Sequence, residues 1–167
     1  IEQIGEDTPL LEGIRTARAI RRLRPDPVPP ALIRKVCEAG TFAPSGGNRQ
    51  GWKVLVIRDP ALRRELAELC VPTVQRYVAE VKAGHNPWNT IEPSPLSDEE
   101  VAATEVVWPM LDAIESLPVL LVVAVDLSVV ASFDRELERV GVISGASLYP
   151  FVWNILLAAR DRGYGGT

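Results

Sequence analysis

Histidine occurs once in the 167 residues, at His85, and cysteine twice, at Cys37 and Cys70. One histidine cannot build a His-based metal cluster or a Ser-His-Asp triad. Two lone thiols, both in predicted helices, form neither a disulfide framework nor a metal site. No apolar run reaches the roughly 18 residues that a membrane span needs, and the first residues lack the pattern of a signal peptide. A cytoplasmic location is therefore expected. Basic residues are in the minority, 18 Lys and Arg against 22 Asp and Glu, for a formal net charge of −4. Nucleic acid wants a basic surface and is not expected as a partner. What remains, 47% hydrophobic and 24% charged residues, is the balance of an ordinary globule long enough for a proper core. A single domain over residues 1–167 is expected, with no repeat and no internal linker.

Two stretches concentrate the polar chemistry. Thr41 to Asp59 reads TFAPSGGNRQGWKVLVIRD, a Pro-Ser-Gly-Gly-Asn turn, a Gln and a Trp before an apolar run. Gly46 and Gly47 can take backbone angles closed to other residues, so main-chain N–H groups can turn toward a ligand. Ser45, Asn48 and Gln50 add groups able to pair with donors and acceptors. An ordinary helix-to-strand turn has the same composition. Upstream, Arg18 to Pro29 reads RAIRRLRPDPVP, with four arginines inside seven residues. Arginine keeps its charge, and its planar fork suits phosphate and carboxylate oxygens. Such a cluster is also what a solvated helix face looks like. In a chain of net negative charge it points to a small anion rather than a polymer.

Along the chain, Thr8 and Pro9 suit the start of a helix in which Leu10, Leu11, Ile14 and Ala17 recur, running to about Ile20. The prolines from Pro25 to Pro30 force an extended connection into a helix over Ala31 to Ala39, with Leu32, Ile33 and Val36 inward. A strand is expected at Lys53 to Arg58, then a helix from Asp59 with Leu62, Leu66, Leu69 and Val74 on one face, bent or broken at Pro72. Gly84 to Ser97, GHNPWNTIEPSPLS, has three prolines and no regular period. That pattern fits a lid over residues 83–97 with Trp88 on the substrate side, or a plain surface excursion. Ser97 is a clean N-cap for a helix opening on Asp98, Glu99 and Glu100, to be kinked or ended at Pro109 with a shorter helical piece after it. Pro118 to Asp126 reads as a strand buried on both faces, and Ser144 to Arg160 as a helix too apolar to face water.

RAIRRLRPDPVP followed by APSGGNRQGW, with GASLYPFVWNILLAARDRGYG at Gly145–Gly165, closely resembles the FMN-dependent nitroreductase superfamily. The resemblance implies an α+β sandwich, a mostly antiparallel sheet wrapped by helices. It also implies a homodimer with FMN in clefts at the subunit interface. Members continue for several tens of residues past the point matching Gly163–Thr167, so the C-terminal part is expected to be missing from this chain. By the same resemblance Arg18, Ala19 and Arg21 fall on the first flavin-binding motif, with Arg22 adjacent. Pro44, Ser45, Gly46 and Asn48 fall on a loop that meets the flavin from the partner subunit, with Gln50 supporting it. Gly165 and Gly166 fall near the third contact. No catalytic side chain and no metal is implied. FMN would carry the chemistry, with NAD(P)H as co-substrate and an electron-poor small molecule as acceptor. Three departures stand out. Ala17 replaces an Arg of many members, Ala19 a frequent Ser or Asp, and Gly51 the usual Pro before Trp52. The same scaffold serves dehydrogenases of natural-product rings, flavin-consuming synthases and non-catalytic flavin-sequestering relatives.

Overall fold

The computed structural model describes residues 8–167, which divide into two compact units, residues 8–56 with Pro118–Thr167, and Ile57–Leu117. In the first unit, helix α1 (Leu10–Thr16) is followed by an extended run to helix α2 (Pro30–Gly40). Pro29 and Pro30 account for that start, since Pro30 opens the helix where its missing N–H costs nothing. Strand β1 (Trp52–Ile57) leads into the second unit.

That unit holds helices α3 (Pro60–Lys82), α4 (Asp98–Ala102) and α5 (Pro109–Asp112). The chain returns to the first unit as strand β2 (Leu120–Val125) and ends on helix α6 (Tyr149–Asp161). β1 and β2 pair as a two-stranded sheet. The Asp126 N–H donates to the Gly51 carbonyl over 2.8 Å, setting the end of β2 beside the start of β1, so the strands are antiparallel. The fold is α+β, as expected, with a sheet of only two strands among the described residues.

The core of the first unit is built where α2 meets α6. Val36, Ala43, Phe151 and Ile155 are buried together, with Leu32, Trp52, Val54, Leu121 and Val123 packed around them. Phe151 is 1% exposed, and its ring stacks on Trp52 with centroids 4.7 Å apart. The helices meet closely because Gly40 has no side chain. A Cβ there would lie 2.9 Å from Phe151 Cε2 and 3.0 Å from Ile155 Cγ1. Leu32, Ile33 and Val36 face inward as their spacing predicts.

Several expectations need correction. α1 stops at Thr16 rather than near Ile20, because Ala17 turns to extended angles and Ala19 forms a parallel bridge with Gly166. Its Leu10 and Leu11 are exposed. α3 runs unbroken for 23 residues through Pro72. The carbonyl that loses its partner, that of Glu68, belongs to an exposed turn where water can take it. The buried face of α3 carries Arg63, Ala79 and Glu80, while Leu62 and Leu69 are exposed. The helix opened by Ser97 has the expected capping box with Glu100 but stops at Ala102, and Pro109 starts α5 instead of ending α4. α6 begins at Tyr149, since residues 143–145 form a separate tight turn. β2 is half-buried rather than covered on both faces.

The second unit is closed at its base by Arg63, 8% exposed. Its Nε and Nη2 donate to the Ile57 carbonyl over 3.0 and 2.8 Å, and Nη1 donates to the carbonyls of Glu115 and Leu117. One guanidinium thus holds the two ends of the unit, Ile57 and Leu117, through carbonyls alone.

Phe151→Ala is expected to cost about 3–5 kcal/mol, and Gly40→Ala about 1–3 kcal/mol through overpacking. Urea denaturation reads both, and an unshifted midpoint for Gly40→Ala would show that α2 and α6 have room to spare. Arg63→Met removes the donor to the buried Ile57 carbonyl and to the part-buried carbonyls of Glu115 and Leu117, and is expected to lose about 3 kcal/mol. Arg63→Lys should restore little of this, because one ammonium cannot span the fork's reach; full recovery by Lys would refute that geometry.

Candidate functional site

The loop at Pro44–Gln50 is held by its own polar groups. Ser45 is extended and its carbonyl accepts from the Asn48 N–H over 2.8 Å, closing a tight turn over Gly46–Asn48. The Ser45 hydroxyl accepts from the Gln50 N–H over 2.9 Å, and Gln50 Nε2 donates to Asn48 Oδ1 over 3.0 Å. These bonds offset strain at Asn48 and Gln50, whose φ of 52° and 50° are left-handed, while Gly47 takes its φ of 59° without that cost. The N–H of Gly46, free to face a ligand on sequence grounds, instead donates to Ser147 Oγ over 3.0 Å.

The next residue, Gly51, is sterically required. A Cβ would lie 2.4 Å from Val129 Cγ2, so a ring or methyl group does not fit there. The departure from the usual Pro is compensated by Val129. Between the loop and the segment from Val129 to Ser147 lies a cleft of about 320 Å³.

That segment is organised by Asp134, which is 3% exposed. Its Oδ2 accepts from the Val142 N–H over 2.7 Å, from Arg139 Nη1 over 3.1 Å and from the Ile143 N–H over 3.3 Å. The Val142 amide, then Arg139 and the Ile143 amide, hold this carboxyl below the usual aspartate range, against the opposing effect of burial. Its Oδ1 has no hydrogen-bond partner among the described residues. The sequence offers no signal for Asp134 or Ser147, because most of their partners are main-chain amides that no motif records.

The arginine stretch lies elsewhere. α1 is tied to the end of α6, where the Thr8 N–H donates to Asp161 Oδ1 over 3.1 Å and Arg160 Nη2 to Thr16 Oγ1 over 3.1 Å. The chain then runs extended along the last residues. Ala19 bridges Gly166, and the Ile20 N–H donates to the Gly166 carbonyl over 2.9 Å. Gly165 must lack a side chain, since a Cβ would meet Ile20 at 2.7 Å. Arg18 turns back on α1, its Nη1 donating to the carbonyls of Arg15 and Ala17. Arg21 and Arg22 are exposed and find no partner among the described residues.

The fold therefore joins Arg18–Arg22 to Gly165 and Gly166, and sets Pro44–Gln50 apart from both. The first pair sits against the C-terminal half of α6, the loop against Ser147 just before its start. α6 has 13 residues, about 20 Å of helix. Trp88 is held in the second unit. Its N–H donates to the buried Glu80 carboxylate over 3.0 Å, and its half-exposed ring lies 6.2 Å from that of Tyr77. Cys37 packs beside the core and burial pushes its thiol up, so it stays protonated. No group of side chains able to hold a metal occurs among the described residues, and no described helix is long and apolar enough to cross a membrane.

The chain belongs to the Nitroreductase family, whose sequence model matches residues 14–167. Among individual proteins it is similar to an NADH dehydrogenase of Thermus thermophilus, 53% identical over 51 residues, which are 30% of this chain and 25% of that protein. It is also similar to a 5,6-dimethylbenzimidazole synthase of Rhodobacter capsulatus, 40% identical over 65 residues, 39% of this chain and 31% of the synthase. The matched stretches thus span about a quarter to a third of these relatives. Of solved structures, an oxidized iodotyrosine deiodinase bound to FMN and 3-iodo-L-tyrosine shares the fold, with a TM-score of 0.62 at 20% identity. The match covers 94% of this chain and 72% of the deiodinase.

The Asp134 carboxylate contributes stability that is fully present above its ordinary value of 3.8 and is lost as pH falls through the lower folded value. Asp134→Asn is expected to weaken the fold at about pH 7 and to flatten the decline toward about pH 2. Urea midpoints across that range read the effect. Parallel declines in the wild type and the variant would remove Asp134 from this role.

Proposed function

We propose that this protein is an FMN-dependent oxidoreductase that uses NAD(P)H to reduce an electron-poor small molecule such as a nitroaromatic or a quinone. The observation that carries the reading is the pair Arg21 and Arg22. They are exposed, lack protein partners among the described residues, and follow directly on Ala19 and Ile20, which are bound to Gly166, in a chain of the Nitroreductase family. These residues fit FMN. Two permanent cations with free forks match a phosphate, and the bridge that holds Ile20 on Gly166 fixes the start of the segment that carries them. Arg18 fits less well, as its guanidinium already serves two carbonyls. When bound, FMN supplies two-electron chemistry between nicotinamide and acceptor. The chain's own part is to hold the charged end with Arg21 and Arg22 and to present the Pro44–Gln50 loop in a fixed shape.

The two parts of the site lie at opposite ends of α6. This supports a homodimer in which Ser45, Gly46 and Asn48 of one subunit complete the flavin site of the other. The exposure of Leu10, Leu11, Tyr149 and Trp153 in the first unit supports apolar surface to be covered. Trp88 is proposed on the acceptor side. What supports it is a ring held half exposed at a positive φ of 50° by Glu80 and Tyr77. A second reading, a flavin-consuming synthase, is favoured by the match to the benzimidazole synthase. Against it, Ala19 offers only a methyl group where an acid is common in such enzymes.

Arg21→Ala is expected to weaken FMN binding by about tenfold to a hundredfold, from charge-assisted bonds worth roughly 1.5–3 kcal/mol. Flavin fluorescence titration measures this, and an unchanged affinity would unseat the assignment. Purified protein with FMN should be yellow and bleach with NADH or NADPH under anaerobic conditions; colour without bleaching would leave a flavin carrier rather than a reductase.

A further inference from the structure

The cleft beside the Gly46–Arg49 turn shares Gly46 with the flavin assignment, which uses neither Arg49 nor the far wall. Both walls are fixed, one by the bond from Gly46 to Ser147 and the other by Asp134 holding Val142 and Ile143. One side is apolar, lined by Val129, Val130, Phe133 and Ile143. On the other lies Arg49, whose side chain folds over Gly47, with Cγ and Nε each 3.6 Å from the place a Gly47 Cβ would take. No described residue pairs with that guanidinium. Ser147 Oγ already accepts from Gly46, so its own proton remains to be donated.

A lone arginine on an open surface is usually solvated. Here it borders a half-open, partly apolar cleft of about 320 Å³, the size at which small-molecule pockets begin. A bare inorganic anion gains nothing from the apolar wall, and a neutral hydrocarbon nothing from the cation. Both walls are satisfied by a flat apolar body carrying one negative group. We propose that this cleft binds a small aromatic carboxylate, its head on Arg49 and its ring on Val130, Phe133 and Ile143.

The test is a calorimetric titration of benzoate and of benzamide into the purified full chain with FMN present. Benzoate is expected to bind about fivefold more tightly than the amide, the range of a partly exposed ion pair. Arg49→Met should abolish that preference, Arg49→Lys should keep most of it, and Arg21→Ala should leave it unchanged. Equal binding of the two probes, no binding of either, or a preference that survives Arg49→Met would overturn the proposal. Loss of the preference in Arg21→Ala would move the anion to the arginine stretch and overturn it equally. Displacement of benzoate by an equal concentration of inorganic phosphate would reduce the cleft to a bare anion site, which contradicts the ligand class. Failure of FMN to bind leaves these comparisons intact, so the two assignments stand or fall separately.

Discussion

The ring of Phe151 lies against the place where Gly40 would carry a side chain, and that contact sets α6 against α2. Everything chemically interesting in the first unit is arranged about α6. Ser147, just before it, holds the Pro44–Gln50 loop, and Trp52, which follows the loop, stacks on Phe151. At the other end Arg160 and Asp161 hold α1, and Gly166 approaches Leu156 so closely that an added Cβ would lie 3.0 Å from it. A displacement of α6 would move both parts of the site, because interiors this dense pass a shift on rather than absorb it.

Three buried charged groups are accommodated in three ways. Arg63 faces only carbonyls, which makes it a fixed tie between distant turns. Glu80 accepts from the Trp88 N–H and lies 3.7 Å from Arg76, whose other nitrogen meets Asp98 at 2.7 Å. A single arginine therefore connects both flanks of residues 84–97, a segment pinned at its base. Asp134 gathers two amides and Arg139. Each group would be costly if left unpaired, so each specifies one arrangement of the chain around it.

Glycine acts here by leaving room. Gly51 makes room for Val129, Gly165 for Ile20 and Gly145 for the ring of Tyr149. In each case the neighbour that needs the space is distant in sequence or belongs to another element, except for Tyr149, one helical turn on. At residue 51, where Pro is usual, glycine leaves the room that Val129 fills, and only the packed structure shows that neighbour.

Local signals were legible wherever one residue type and its immediate neighbours decide the outcome. Pro30 at the start of α2, the Ser97–Glu100 capping box, the apolar run that became β2, and the Ser45–Gln50 turn follow from φ restriction, capping bonds and periodicity. The family and its α+β class were also legible, because the arginine, Pro-Ser-Gly-Gly-Asn and glycine stretches occur in order along one chain. Tertiary contacts decided the rest. The bridge from Ala19 to Gly166 ended α1 at Thr16, solvent beside Glu68 let α3 pass through Pro72, and Ser147 took the Gly46 amide that local composition had left free. Propensity and pattern are sums over neighbours in sequence, whereas which partner satisfies a given amide, carbonyl or charge depends on residues brought near by folding, here 101 positions away for Gly46 and Ser147.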